Sequence, residues 1–191
     1  MSAAGNTLVG GKFFRFWSGG KEPGAVLLIS HGLGEHSGLY EHVAAALTAD
    51  ILHVYALDHI GQGKSPGKPA YIDRFSDLTS GVSELRDHIR RHHAGLPVIL
   101  IGHSMGGLIA IRLALGAHAD YAGLVLTGPL LGQPEAPSRL QVMLVRVLSV
   151  LAPKVKAIEI DASAVSRDPA VVSDYIADPL VHHDNIPART V

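Results

Sequence analysis

Apolar residues follow two alternating patterns along the chain. Four short runs are apolar at nearly every position, which is typical of strands buried on both faces of a parallel sheet. Between the runs, apolar residues recur every three or four positions, as they do on one face of a helix. This alternation of strand and helix predicts an α/β fold. The predicted strands span residues 25–29, 51–57, 98–101 and 123–126, and the helices between them span residues 40–49, 78–92 and 107–115.

Two further segments flank this alternation. Near the start, residues 7–17 predict an antiparallel hairpin at one edge of the sheet, because short apolar runs lie on either side of Gly10 and Gly11. Beyond the fourth strand no run is typical of a buried strand, and the remaining apolar residues have helical spacing. We therefore predict a core over residues 1–129 and a helical cap, or lid, over residues 130–191. The helical stretches of the cap are residues 138–151 and 168–177.

The composition narrows the class of protein. Hydrophobic residues make up 47% of the chain and charged residues 17%, which excludes disorder and predicts a well-filled core or an exposed apolar binding surface. The 16 Lys and Arg against 17 Asp and Glu leave a formal charge of −1, so we expect no nucleic-acid partner. The sequence has no cysteine, so any nucleophile must be an oxygen or a nitrogen.

We find neither a targeting signal nor a metal-binding motif in the sequence. The first residues lack the charged and apolar regions of a secretory signal, so we expect a cytoplasmic protein. The apolar-rich stretch 142–152 is interrupted by Arg146 and Ser149 and is shorter than the roughly 20 residues that span a bilayer. The 12 histidines include no H-E-x-x-H pattern, and we expect no metal and no other cofactor.

One serine stands where a parallel sheet places its chemistry. Residues 102–106 have the sequence Gly-His-Ser-Met-Gly and match G-x-S-x-G, directly after a predicted strand and directly before a predicted helix. Such a turn is tight, so glycines flank the serine, which is held in a strained conformation with a positive φ that exposes its Oγ. We predict that Ser104 is a nucleophile; the alternative is an ordinary serine at a helix N-cap. The supporting residues of the turn are Gly102, His103 and Gly106, followed by Gly107.

A serine that attacks a carbonyl generates an oxyanion, which requires hydrogen-bond donors already aimed at it. One predicted donor is the backbone N–H of Met105 at the start of the helix, where the helix dipole also favours negative charge. The other is expected in the loop after the first central strand, where the Leu33 N–H is the best candidate. The supporting residues of this loop are His31, Gly32 and Gly34. The alternative is that the loop is an ordinary glycine turn.

Four segments of the chain resemble a known family. They are residues 31–40 (HGLGEHSGLY), 58–65 (DHIGQGKS), 102–107 (GHSMGG) and 178–181 (DPLV). Together they are similar to the monoacylglycerol lipase group of the α/β-hydrolase superfamily, which also includes serine aminopeptidase-like and lysophospholipase-like proteins. The resemblance covers essentially the whole chain and implies a mostly parallel sheet with flanking helices and a helical lid. It also implies that Ser104 is the nucleophile and that the amides of Leu33 and Met105 form the oxyanion hole.

The chain departs from the family pattern in two places. Gln62 stands where histidine is common in D-x-x-G-H-G-x-S, and we do not expect this change to abolish the chemistry, because the glycines of the loop remain. In the family, the triad acid and histidine follow strands beyond the lid, and the chain ends at Val191 before either. We therefore expect the last strands and helix to be missing, and the triad with them. None of the later candidates follows a predicted core strand, and those in the lid are expected to have lid or hinge roles. The candidates are Asp161, Asp168, Asp174, Asp178, Asp184, His118, His182 and His183.

Two functions remain open. The first is a serine esterase or lipase acting on a small lipid-like ester such as a monoacylglycerol, with transient contact between the lid and a lipid surface. The second is a non-catalytic α/β-hydrolase-like protein that binds an apolar ligand or a partner, which the missing acid and histidine favour. The intact nucleophile turn favours the esterase. The apolar residues of the lid helix either serve the lipid or pack on the sheet; they are Leu140, Val142, Met143, Leu144, Val147, Leu148 and Leu151.

Overall fold

A six-stranded sheet forms the centre of the molecule in a computed structural model. The structure describes residues 4–8, 10–20, 22–48, 52–117, 120–132, 137–158 and 161–191. The strands are β1 (Ala4–Thr7), β2 (Phe13–Trp17), β3 (Ala25–Ser30), β4 (Leu52–Leu57), β5 (Val98–His103) and β6 (Gly123–Thr127), arranged in the order β1-β2-β4-β3-β5-β6. The strands β4, β3, β5 and β6 are parallel to one another, whereas β1 and β2 add an antiparallel edge beside β4.

Helices cover both faces of the sheet. They are α1 (Glu41–Thr48), α2 (Phe75–His92) and α3 (Met105–Ala117). Because successive residues of a strand point to opposite faces, Leu28 of β3 packs with α2 and α3, while Leu27 and Ile29 pack with α1. Each fully buried side chain of this size contributes about 1.5–3 kcal/mol. The apolar stripe of α2 consists of Leu78, Val82, Leu85 and Ile89.

The predicted alternation of strand and helix is confirmed. The strands β3 to β6 occupy the four apolar runs, and the three helices occupy the segments with helical spacing, with boundaries that differ by up to three residues. The predicted hairpin is also present, as β1 and β2, but its first strand was expected at residues 7–9 and lies at Ala4–Thr7. Positions 9, 49 and 51, which the predictions included, lie outside the described residues.

The strand β6 corrects one prediction. Its apolar run was expected to be buried on both faces, yet Leu124, Val125 and Leu126 are 40%, 45% and 37% exposed. The reason is position: β6 pairs with β5 on one side and forms the edge of the sheet on the other. A run of apolar residues predicts a buried environment, but the sequence of the run does not say which neighbours supply it.

The chain beyond residue 129 contains the two predicted helices and a small sheet that was not predicted. The helices are α4 (Arg139–Leu151) and α5 (Pro169–Ala177), and the small sheet pairs β7 (Lys156–Ile158) with β8 (Ile186–Pro187). Strands of three and two residues are too short to give a recognisable alternation. Ser138 begins α4 with a capping box, in which its Oγ accepts a hydrogen bond from Gln141 N–H and its own N–H donates to Gln141 Oε1.

The helix α4 leaves its apolar residues on the surface. None of its residues is buried, and Leu140, Leu144 and Leu151 are 69%, 55% and 79% exposed. Of the two alternatives for this helix, packing on the sheet is therefore wrong. Across the described residues, no helix combines the length and the apolar run that a bilayer crossing requires.

Candidate active site

The carboxyl ends of β3 and β5 bring two loops together. The two strands are parallel neighbours, and Ser30 at the end of β3 lies opposite Gly102 near the end of β5. The chain therefore leaves the sheet at the same edge in both places. The loop after β3, residues 31–36, carries the predicted donor Leu33 N–H and is called the oxyanion loop below. It lies beside the turn that leads from β5 into α3. This turn, residues 102–107, carries the predicted nucleophile Ser104 and is called the nucleophile turn.

Ser104 occupies that turn with an uncommon backbone conformation. Its φ is +51°, in the left-handed region that non-glycine residues rarely adopt, and the predicted positive φ is confirmed. Backbone hydrogen bonds hold this conformation: Ser104 N–H donates to the Thr127 carbonyl at 3.1 Å, and the Ser104 carbonyl accepts from Leu108 N–H at 3.2 Å and Leu130 N–H at 2.9 Å. Strain of this kind persists only where the surroundings impose it, as they do in a nucleophile turn.

The glycines of the turn are required by close backbone approach. A Cβ on Gly106 would overlap the carbonyl group of Ser30 at the end of β3. A Cβ on Gly102 would lie 2.7 Å from the Cα of Gly107, and a Cβ on Gly107 would lie 2.7 Å from the Cβ of Pro129. These approaches are closer than real Cβ contacts, so the turn can pack against β3 and the loop after β6 only with glycine at these positions.

The peptide that joins Gly32 to Leu33 in the oxyanion loop is held in one orientation. His59 N–H donates to His31 Nε2 at 3.1 Å, so the imidazole carries its proton on Nδ1, and this group donates to the Gly32 carbonyl at 2.7 Å. Because a trans peptide directs its N–H opposite to its carbonyl, this bond fixes the direction of the Leu33 N–H. Within the described residues, neither Leu33 N–H nor Met105 N–H donates a hydrogen bond.

Burial keeps the imidazoles beneath this loop neutral. His31 and His59 are buried, with ring centroids 4.5 Å apart. Burial lowers the pKa of His31 and, with the added effect of His31, lowers the pKa of His59 well below its usual value. The contacts of His31 are thus those of packing and hydrogen bonding within the loop.

Gln62 and Asp58 are structural members of the site that sequence reasoning did not assign. Gln62 Oε1 accepts a hydrogen bond from Gly34 N–H at 2.7 Å, so the residue that departs from the family pattern still holds the loop. Asp58, at the end of β4, accepts from Ser37 N–H and from Lys64 N–H, both at 2.7 Å. The D-x-x-G-x-G-x-S pattern marks this loop, but spacing alone does not say which backbone groups its side chains bind.

Glu35 and His103 connect the loops around the site through their side chains. Glu35 Oε2 accepts hydrogen bonds from Gly32 N–H at 2.9 Å and from the Tyr40 hydroxyl at 2.7 Å. Burial, followed by the nearby Glu35 carboxylate, raises the pKa of Tyr40. His103 Nδ1 donates to the Thr127 carbonyl at 2.9 Å, and its Nε2 lies 3.6 Å from Glu35 Oε1. These contacts join the nucleophile turn, the oxyanion loop and the end of β6.

The later acids and histidines do not assemble a triad with Ser104. None of the described candidates forms a hydrogen bond with the Ser104 side chain, and their own contacts are local or structural. Asp161 and Asp168 cap short helices, Asp178 bonds to His36, and Asp184 pairs with Lys156 at 3.0 Å. His118 lies outside the described residues. Within the described ranges, no three His, Asp or Glu side chains are grouped so that they could hold a metal ion.

A cleft of about 690 Å³ is lined by residues from α1 and α5. Its apolar walls include Leu39 and Val43, at and just before α1, and Val171 and Tyr175 from α5. His103, the residue before Ser104, also lines it. The cleft thus offers apolar surface next to the nucleophile turn, as an acyl chain would require.

Comparisons with known proteins agree with this geometry. The monoacylglycerol lipase of Mycolicibacterium smegmatis is 40% identical over 90% of this chain and 61% of its own length, and the monoglyceride lipase of Homo sapiens is 39% identical over 88% of this chain and 56% of its own length. The crystal structure of the Paleococcus ferrophilus monoacylglycerol lipase superposes with a TM-score of 0.79 at 32% identity, covering 93% of this chain and 66% of that one.

The chain thus spans about three fifths of the length of the curated relatives that it matches. The model of the family described as serine aminopeptidase, S33, matches residues 21–191. A match of this extent, together with relatives at 40% identity and a shared architecture, assigns the chain to the serine aminopeptidase S33 family, with an α/β-hydrolase fold.

Proposed function

We propose that this chain carries the nucleophile and the oxyanion donors of a serine hydrolase that cleaves lipid-type carboxylic esters, with monoacylglycerols as the substrate class. The observation that carries the proposal is the backbone of Ser104, held at φ +51° between β5 and α3 beside the oxyanion loop. The substrate class rests on the relatives named monoacylglycerol or monoglyceride lipase and on the apolar cleft next to the turn.

The roles of the residues follow from the chemistry of acyl transfer. Ser104 Oγ attacks the acyl carbonyl, and the backbone N–H groups of Leu33 and Met105 stabilise the oxyanion that develops. A general base must take the serine proton and return it to the leaving alcohol, and an acid must orient that base. No described residue takes either role. The roles that we assign within this chain are therefore those of the nucleophile, Ser104, and of the two oxyanion donors.

The cap extends the proposal to the substrate. We assign residues 1–129 to the core and residues 130–191 to the cap, whose helix α5 forms one wall of the cleft. The exposed apolar residues of α4 suit transient contact with a lipid surface that delivers the substrate. The non-catalytic alternative is disfavoured, because the relatives are named as lipases and the strained serine turn would have no use in a simple binding protein.

The experiment that tests the proposal is covalent labelling by a fluorophosphonate. Slow labelling of the wild-type protein is expected at Ser104 alone, located by mass spectrometry of the peptides after prolonged incubation. Ser104→Ala should remove the label and leave the fold unchanged, because only one hydroxyl is lost. The control is Ser149→Ala on α4, whose hydroxyl bonds only to the Arg146 carbonyl and which should be labelled like the wild type. A label that persists in Ser104→Ala would show that the nucleophile is a different residue.

A further inference from the structure

A segment of the cap is hydrogen-bonded directly to the oxyanion loop. The segment after α5, residues 178–183, is called the clasp here, and it makes two hydrogen bonds with that loop. His36 Nε2 lies 2.9 Å from Asp178 Oδ2, and His182 N–H donates to the Gly34 carbonyl at 2.8 Å. These contacts join residues more than 140 positions apart in sequence.

The contact between His36 and Asp178 has a defined geometry on both sides. Gly38 N–H donates to His36 Nδ1 at 3.0 Å, so the proton of the neutral ring lies on Nε2, which faces the carboxylate. Asp178 uses its other oxygen, Oδ1, to accept from Leu180 N–H at 2.8 Å. His36 is 3% exposed, so the pair is shielded from water on the side of the loop.

Three successive peptides of the oxyanion loop are then held by three different elements. The Gly32 carbonyl accepts from the side chain of His31, within the loop itself. Gly34 N–H donates to Gln62, from the loop after β4. The Gly34 carbonyl accepts from the backbone of His182, in the clasp. The core thus holds the Leu33 N–H from one side, and the clasp supports the loop from the other.

We propose that His36 and Asp178 are positioning residues, which seat the clasp on the oxyanion loop and thereby keep the Leu33 N–H aimed at the site beside Ser104. The inference rests on the proposed function, because it assigns a purpose to the Leu33 N–H. It adds to that function a dependence of the oxyanion donor on the cap: displacement of the clasp removes one of the three supports of the loop. Neither residue touches the reacting atoms.

Two substitutions break this contact without disturbing the local turns. In Asp178→Ser the hydroxyl can still accept from Leu180 N–H, but it is too short to reach His36. In His36→Asn the amide oxygen can still accept from Gly38 N–H, but it is too short to reach Asp178. Asp178→Asn keeps the size of the side chain but has one acceptor oxygen for two donors, His36 Nε2–H and Leu180 N–H, so it should also weaken the contact. Asp184→Ala removes a carboxylate just beyond the clasp that bonds to Lys156 instead, and it is the matched control.

The first measurement is amide hydrogen exchange followed by mass spectrometry on the chain of residues 1–191. Asp178→Ser and His36→Asn should each raise the exchange rate of peptides that contain Leu33 and Gly34 by about tenfold, because local opening becomes easier. Asp178→Asn should raise the exchange rate in the same direction, whereas Asp184→Ala should exchange like the wild type. Unchanged exchange in both disrupting variants would overturn the proposal, and the use of two variants on opposite sides guards against one that fails to fold.

The second measurement is the rate constant for fluorophosphonate labelling of Ser104. A misplaced donor should slow it by about ten- to a hundredfold in Asp178→Ser, whereas Asp184→Ala should be labelled at the rate of the wild type. Faster exchange with an unchanged labelling rate would overturn the positioning role, since the loop would then be mobile without consequence for the donor. Labelling of this chain is expected to be slow, so the wild type is compared with Ser104→Ala after prolonged incubation. If Ser104 is still not labelled above that background, the proposed function fails, while the exchange data still decide whether the clasp supports the loop.

Discussion

Close backbone packing determines which glycines can be replaced by alanine without a loss of stability. Gly106 has no room for a Cβ, because the carbonyl of Ser30 occupies that position, whereas a Cβ added to Gly116 near the end of α3 would meet no atom within 4 Å. Gly106→Ala should therefore lower the free energy of unfolding by at least about 2 kcal/mol. Gly116→Ala should raise it by about 0.5–1 kcal/mol, because alanine is the better helix former.

Urea unfolding at neutral pH measures both changes. The pair is informative because the same chemical substitution is expected to have opposite signs on one helix. A Gly106→Ala protein as stable as the wild type would show that β3 and the nucleophile turn are not in such close contact.

Local chemistry made part of the site predictable at the scale of the residue. The positive φ of Ser104 and the need for glycine at positions 102 and 106 follow from the G-x-S-x-G pattern between a strand and a helix. The contact between His36 and Asp178 does not follow, because no local pattern relates two residues so distant in sequence. The bond from Gly34 N–H to Gln62 is hidden for the same reason: it joins the loops of two adjacent strands.

A group of histidines joins α2 to the central sheet at the scale of the element. The rings of His53 and His93 lie 4.6 Å apart, and those of His88 and His92 lie 4.1 Å apart. Burial lowers the pKa of His53, His88 and His93, and the neighbouring imidazoles lower it further for His88 and His93. Protonation of this group would place like charges together at the end of α2.

Stability should therefore fall as the pH decreases below the usual histidine pKa. A histidine whose pKa is lowered in the folded state binds fewer protons there than in the unfolded state, so its contribution is present above about pH 6.5 and is lost as the pH falls toward the folded pKa. The buried His31 and His59 act in the same direction. Urea unfolding at about pH 7.5 and about pH 5.5, on either side of the usual histidine pKa, measures the loss. His93→Gln should reduce it, whereas His42→Gln on the exposed face of α1 should not. Equal stability at the two pH values would contradict the expectation.

The apolar face of α4 gives a prediction for lipid. If this helix meets a lipid surface, the protein should bind phosphatidylcholine vesicles, and Leu140→Glu with Leu144→Glu should weaken binding by more than about tenfold. Both side chains are more than half exposed, so the double variant should keep its unfolding midpoint. Leu115→Glu on α3, where leucine is 76% exposed, is the control for an added charge elsewhere. Vesicle flotation provides the measurement, and equal binding of the double variant and the wild type would exclude α4 as the contact.

The type of each long element was predictable, whereas its environment was not. The apolar pattern identified β3 to β6 and the helices α1 to α5, because the spacing of apolar residues along each long element is a property of its own sequence. The exposure of β6 and of α4 depends on which elements lie beside them, and this information belongs to the tertiary structure. The pair β7–β8 was not predicted, because strands of three and two residues are too short to show an alternation of apolar and polar positions.

At the scale of the whole molecule, the chain contains the oxyanion loop and the nucleophile turn but no described base for Ser104. We therefore expect the serine to be a neutral alcohol with little nucleophilicity, even beside the proposed oxyanion donors. Fluorophosphonate labelling of residues 1–191 should be slow. It should be fast in a chain extended past Val191 by the acid- and histidine-bearing strands of a family member, because the added histidine would take the serine proton.

The size of the difference follows from what each half of the site contributes. A hydrolase that lacks a triad member can retain about 10³–10⁴-fold catalysis over water from its oxyanion hole and binding, so slow labelling of the short chain agrees with the expectation. The ratio of the two second-order rate constants is the decisive quantity, with Ser104→Ala as the background in both chains. Rapid labelling of residues 1–191 would mean that a base already exists among them. His182 and His183, which lie in the clasp beside the oxyanion loop, would then be the first histidines to replace.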